Sequence, residues 1–239
     1  VSRAEQPSNG PLQADASLAP DLPLSLTEFA IERIRGAIVD GALELGQQIS
    51  EAALSTNLGI SKTPVREALV RLQSEGLVVI HPRRGTFVFT MSEEELAEIC
   101  ECRLALERAA LQAAMGRSAA ALADALAVIT AAMDRAWEAS DALGYRRLDS
   151  RFHLAFFEHC ANRYLLDAYQ LIAGKMAALR TRLSSSPDHV KKSYVEHINM
   201  AERIRRGDLK GTLRVLDGHI GLRQGSYWGT SEVLPPRPR

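Results

Sequence analysis

Apolar residues between Ser25 and Leu72 recur at spacings of three and four, the period of helices that bury one face. Phe29/Ala30, Ile34 and Ala37/Ile38 make the first such stripe, opened by the capping box Ser25-x-x-Glu28 and stopped by Gly41. Ser50 opens a second, shorter helix through Leu58, with Ala53, Leu54 and Leu58 on its inner face. After the turn Gly59-Ile60-Ser61, Ser61 stands where it would cap a third helix. Pro64 falls in that helix's first turn, where a missing N–H costs nothing. Val65, Leu69 and Leu72 supply its stripe and Gly76 its end. The period then changes, and residues 77–80 and 86–90 fit two short strands around the turn Pro82-Arg83-Arg84-Gly85.

A second capping box, Ser92-x-x-Glu95, begins an Ala/Leu-rich helical pattern that runs to about Gly225. Breaks near residues 115–118, 139–144, 160–162, 184–188 and 207–208 divide it into six or seven helices, enough for an antiparallel bundle. The expected fold class is therefore mainly α: a winged helix-turn-helix of three helices and a β-hairpin, then an all-α bundle. Residues 1–25 lack a hydrophobic period and are expected to form a flexible arm. Residues 26–90 would form one unit and residues 91–228 a second. The Pro-rich stretch 229–239 would be a flexible tail.

Composition narrows the class. Of 239 residues, 46% are apolar and 24% charged, as in ordinary soluble domains, and 5% aromatics favour helices over a β-sandwich. No apolar run approaches a membrane span and no signal peptide is expected. Cys100, Cys102 and Cys160 cannot make a disulfide framework, so the expected compartment is a reducing cytoplasm. The 29 basic and 29 acidic residues balance, but not locally. Between Lys62 and Thr90, Lys62, Arg66, Arg71, Arg83 and Arg84 face Glu67 and Glu75 alone.

A short helix, a Gly-containing turn and a capped second helix are the parts of a helix-turn-helix. Lys62, Thr63 and Arg66 would stand at the end that enters a major groove, and Arg83, Arg84 and Gly85 at the tip of a wing. The alternative is a small helical domain with a solvated charged face. The letters themselves decide more. Leu45-Gly46-Gln47-Gln48-Ile49-Ser50-Glu51, Gly59-Ile60-Ser61-Lys62-Thr63-Pro64-Val65-Arg66-Glu67-Ala68-Leu69 and Pro82-Arg83-Arg84-Gly85-Thr86-Phe87-Val88 closely resemble the winged helix of the GntR superfamily of bacterial transcription regulators. The resemblance implies that Lys62, Thr63 and Arg66 contact an operator and that the wing around Gly85 reaches the minor groove. Lys62 stands where Arg is more common in that family, which would exchange a bidentate guanine contact for a phosphate contact.

In the helical region, His153 lies four residues after Asp149 on one helix face, and His197 and His219 fall on two later helices. A bundle can bring such faces together, and one carboxylate with three imidazoles suits Zn²⁺ or Ni²⁺. A histidine taken singly is more often a surface or satisfied core residue, as His81, His159 and His189 illustrate by lacking partners at useful spacing. Arg103-x-x-x-Glu107, the run Leu148-Asp149-Ser150-Arg151-Phe152-His153, Glu196-His197 and His219-Ile220 resemble the FCD effector domain of the FadR-type branch. That likeness implies Asp149, His153, His197 and His219 as metal ligands, and a small organic acid bound beside the ion. It also implies Arg103 as an effector contact, with a salt bridge to Glu107 as the alternative.

These features together imply a ligand-responsive, sequence-specific DNA-binding regulator, a repressor by the commoner family outcome. It would act as a homodimer on a pseudo-palindromic operator, not as an enzyme. Two alternatives stay open: a metal-dependent enzyme acting on a small carboxylic acid, or a constitutive DNA-binding protein with a structural metal. Against the first, there is no HExxH and no marked acid or base beside the site.

Overall fold

The computed structural model describes residues 25–183 and 187–221. Three helices, α1 (Leu26–Val39), α2 (Glu51–Leu58) and α3 (Lys62–Ser74), pack with a small antiparallel sheet of β1 (Gln48–Ile49), which falls between α1 and α2, and β2 (Val78–His81) and β3 (Gly85–Val88), which follow α3; the strand order is β1-β3-β2. Six helices follow among the described residues: α4 (Glu93–Arg117), α5 (Ala119–Glu138), α6 (Ala142–Glu158), α7 (Arg163–Leu183), α8 (Pro187–Arg205) and α9 (Leu209–Ile220). The fold is thus mainly α, a winged helix-turn-helix followed by an all-α bundle. The expected arm and tail lie outside the described residues, apart from Ser25, which caps α1 with a complete capping box.

The winged helix departs from expectation in three local ways. The sheet has a third strand, because Gln48 and Ile49 pair with Phe87 and Thr86 along the edge of β3 that β2 leaves open. Ser61 occupies the N-cap of α3 without a side-chain cap bond. Leu54 and Leu58 pack on the core as expected, but Ala53 is exposed. Gly59, at φ +67°, ends α2 in a left-handed conformation that other residues resist, which is what turns the chain into α3.

Among the described residues, the apolar side chains form two cores. The first joins Ile34 and Ile38 of α1 and Leu69 and Leu72 of α3 to Leu77 and Val88, and continues into Met176, Ala178 and Leu179 of α7. The second fills the bundle between α4, α5, α6, α8 and α9, around Leu111, Leu126, Phe152, Phe156 and Leu216. Ile172 of α7 packs against both. A Cβ on Gly174 would come within 3.2 Å of Leu77, so the missing side chain lets α7 lie close against the winged helix. Helix α7 is therefore a wall shared by the DNA-binding unit and the bundle. Among the described residues, no single helix is long and apolar enough to cross a membrane.

Candidate functional site

The six residues expected to meet DNA are all exposed. Lys62 and Thr63 lie in the first turn of α3, and Arg66 follows one turn on. Arg66 Nη2 pairs with Glu51 Oε2 of α2 at 2.9 Å, an exposed contact that orients the guanidinium on the outer surface of the helix pair. Arg83 and Arg84 form the turn between β2 and β3, with Arg84 N–H donating to His81 O at 3.1 Å. Gly85 has φ +108°, and a Cβ there would meet the Gln48 amide at 2.9 Å. Gln48 in turn donates to Arg84 O at 3.2 Å, so β1 props the wing from behind.

Inside the bundle, residues spaced four apart line up on common faces: Tyr145, Asp149 and His153 on α6, Ser193 and His197 on α8, Arg103 and Glu107 on α4. His219, on α9, completes the group, since that helix stays regular through Gly218 to Ile220. His153 Nε2 lies 3.2 Å from His197 Nε2 and 3.2 Å from His219 Nε2. All three rings are buried, and one nitrogen from each falls within 4.8 Å of the other two.

The opposite nitrogens account for the protons. His153 Nδ1–H donates to Glu107 Oε2 at 2.7 Å and His219 Nδ1–H to Glu196 Oε2 at 2.8 Å, since a carboxylate can only accept. Around His197, Tyr145 Oη–H donates to Ser193 Oγ at 3.3 Å and Ser193 Oγ–H donates to Asp149 Oδ2 at 3.3 Å. Both hydroxyls also approach His197 Nδ1, Tyr145 Oη at 3.3 Å and Ser193 Oγ at 3.5 Å. His153 and His219 thus commit their hydrogens outward and turn bare Nε2 lone pairs inward, beside the Nε2 of His197. Two acceptors 3.2 Å apart, with a third ring nitrogen beside them, are stabilised by a positive centre. A proton is a poor candidate, because burial pushes His153 well below the ordinary histidine value and His197 down to about 3. A divalent ion suits the donor set, and the outward partners are those that orient metal-bound imidazoles.

Asp149 stands beside this cluster rather than within it. Its Oδ2 is 3.8 Å from His197 Nε2, while its Oδ1 pairs with Arg180 Nε of α7 at 3.0 Å. Burial opposes its ionisation, but the Arg180 guanidinium holds the carboxyl well below the usual carboxylate range. Arg103 is fully buried and bonded through Nε to Glu107 Oε1 at 2.6 Å, so the intrahelical salt bridge weighed in the sequence is present. The same Glu107 carries both Arg103 and His153, which links the cation to the cluster through one carboxylate. Sequence reasoning missed Tyr145, Ser193 and Arg180. The four-residue spacing could have found the first two, whereas nothing in the sequence marks Arg180, since its partner is 31 positions away on another helix.

An exposed reading head on a winged helix, joined to a bundle with a buried histidine cluster, defines a DNA-binding transcription regulator. The comparisons give the family. Residues 26–88 match the model of bacterial regulatory proteins of the gntR family, and residues 98–222 match the FCD domain. The chain belongs to the gntR family and carries an FCD domain as its C-terminal half. It is 38% identical over 127 residues to an HTH-type transcriptional regulator from the TAR-I ttuE-ttuC' intergenic region of Agrobacterium vitis, covering 52% of this chain and 74% of that one. It is 26% identical over 230 residues to a protein of Escherichia coli described as an L-lactate dehydrogenase operon regulatory protein, with 84% and 86% covered. A gluconate operon transcriptional repressor of Bacillus licheniformis is 25% identical over 209 residues, again with 84% and 86% covered. Among solved structures, a GntR-type regulator from Rhodococcus sp. RHA1 superposes with TM-score 0.71 at 21% identity, over 80% of this chain and 91% of that one. These named relatives are transcription regulators, not enzymes.

Proposed function

We propose that this chain is a ligand-responsive repressor that binds a pseudo-palindromic operator as a homodimer and releases it when a small organic acid occupies the bundle. Lys62, Thr63 and Arg66 would read the major groove, and Arg83, Arg84 and Gly85 would hold the flanking backbone and minor groove. A two-fold pair doubles the few base contacts that one winged helix offers. His153, His197 and His219, with Asp149 as a fourth ligand, would hold Zn²⁺ or Ni²⁺. An ion accepting five or six ligands would keep positions open for an effector carboxylate and supply the charge that attracts it. Arg103, whose charge is felt at His153, would add to that attraction. The convergence of three buried imidazoles, two of them held by carboxylates on their far nitrogens, is the observation that carries this reading. The operons named for two relatives, those of L-lactate dehydrogenase and gluconate, favour hydroxy acids as the effector class.

Elemental analysis of the parent and of His197→Ala tests the metal. The parent should hold about one ion per chain and the variant markedly less, and equal content in both would sink the assignment. Thermal scanning of the metal-loaded parent against small mono- and dicarboxylates tests the effector, since a ligand of the folded state raises the melting temperature by mass action. Loss of metal with an unchanged response to the acid would make the ion a structural clamp.

A further inference from the structure

Three consecutive residues of α7 make contacts on both sides of the shared wall. Arg180, 4% exposed, pairs with Asp149 and donates from Nη2 to Ser150 Oγ at 2.8 Å. The approach of its Nε to Asp149 lacks the alignment of a hydrogen bond, and its Nη1 has no hydrogen-bond partner among the described residues. Thr181 donates from Oγ1 to Val39 O at 2.7 Å. Arg182 donates to Ile38 O at 3.2 Å and to Leu43 O at 3.0 Å. The last two residues therefore clamp the C-terminal end of α1 and the chain just beyond it, where helix carbonyls lack intrahelical partners. Helix α1 is bonded in turn to the recognition helix α3 at both ends, through Thr27 to Glu67 at 2.7 Å and through Arg35 to Glu75 at 2.7 Å.

We infer that Arg180 is a positioning residue that ties the histidine cluster to the winged helix, through the clamp that Thr181 and Arg182 place on α1. The inference rests on the reading that the cluster takes a divalent ion with Asp149 among its ligands. Asp149 bridges the two, with Oδ1 on Arg180 at 3.0 Å and Oδ2 3.8 Å from His197, so an ion that draws Oδ2 inward shifts the carboxylate on which Arg180 rests. Arg180 is buried, and a buried guanidinium is costly away from its carboxylate, so it follows any shift of Asp149 or takes an anionic replacement. Residues 180–182 lie within about 3 Å of helix rise, so a displacement at Arg180 is carried rigidly to the carbonyls of residues 38, 39 and 43.

The test uses zinc chloride alone on the full chain, with zinc stoichiometry measured beside hydrogen exchange in peptides covering residues 36–46. In the parent, zinc uptake should change exchange in that segment by about fivefold or more, the low end of allosteric coupling. Thr181→Val combined with Arg182→Gln should take up zinc as the parent does, and keep the zinc-dependent protection of α6 and α8. In that variant the change at residues 36–46 should be lost. Arg180→Gln should lose it too, and Arg180→Lys should retain part of it. Zinc uptake by the parent with unaltered exchange at 36–46, or an unchanged response in the clamp variant, would overturn the inference. A parent that takes up no zinc would instead remove the metal reading, and this inference with it.

Discussion

Replacing Glu107 by Gln takes one charge from the centre of the bundle while keeping the side chain's size. Glu107 is 0% exposed, accepts from Arg103 Nε at 2.6 Å on one oxygen and from His153 Nδ1 at 2.7 Å on the other. An amide oxygen can serve one of these donors, but its NH₂ group then faces the other. Arg103, equally buried, loses the carboxylate to which it is bonded, and breaking a fully buried pair costs about 3–5 kcal/mol. With urea m-values of about 1–3 kcal/mol per molar, the unfolding midpoint of the metal-stripped protein should fall by about 1 M or more. His153 loses the partner that fixes its tautomer and raises its basicity, a change that weakens metal affinity by about 10- to 100-fold. The two effects separate in the double variant Arg103→Met/Glu107→Gln. Removing both charges should recover much of the midpoint but none of the zinc affinity. Urea titration at one chain concentration and zinc competition against a chromophoric chelator measure the two quantities. If Glu107→Gln unfolds at the parent's midpoint and holds zinc as tightly, Glu107 is not the link between the cation and the cluster.

Arg66→Ala should lower discrimination between an operator selected from random DNA and unrelated duplex by about tenfold or more, the loss expected for one good base contact. Parent-like discrimination in a gel-shift titration would show the docking of α3 to be wrong. Arg84→Ala should weaken binding to all sequences alike and reduce the slope of log affinity against log salt by about one, as loss of a phosphate contact does. A steeper or sequence-dependent effect would move Arg84 from the backbone to a base. The metal-stripped protein should become less stable as pH falls below about 6.5. His153 and His197 titrate below that value when folded, so the unfolded chain binds protons that the folded chain refuses. The loss should continue toward about pH 3, where His197 itself takes a proton. A melting temperature constant from pH 7.5 to 5 would contradict the buried, neutral state of these rings.

What the sequence determined by itself was whatever depends on near neighbours. Capping boxes at Ser25 and Ser92, the stops at Gly41, Gly59 and Gly76, and the apolar stripes are set within one or two helical turns, so α1, α3 and α4 follow from the letters. The same locality placed Asp149 and His153 on one face of α6, and family likeness added His197 and His219. Tertiary structure decided what depends on partners far along the chain. Strand β1 has two residues, too few to show an alternation, and exists because β3 offers it an open edge. Two histidine tautomers are set by a group on a different element: Glu107 of α4 for His153 and Glu196 of α8 for His219. Arg66 is oriented by Glu51, 15 positions earlier, and Asp149 by Arg180 of α7. No periodicity encodes such pairs. The buried ones arise when packed helices bring charges within reach, where low dielectric makes an unpaired group costly and so selects its partner.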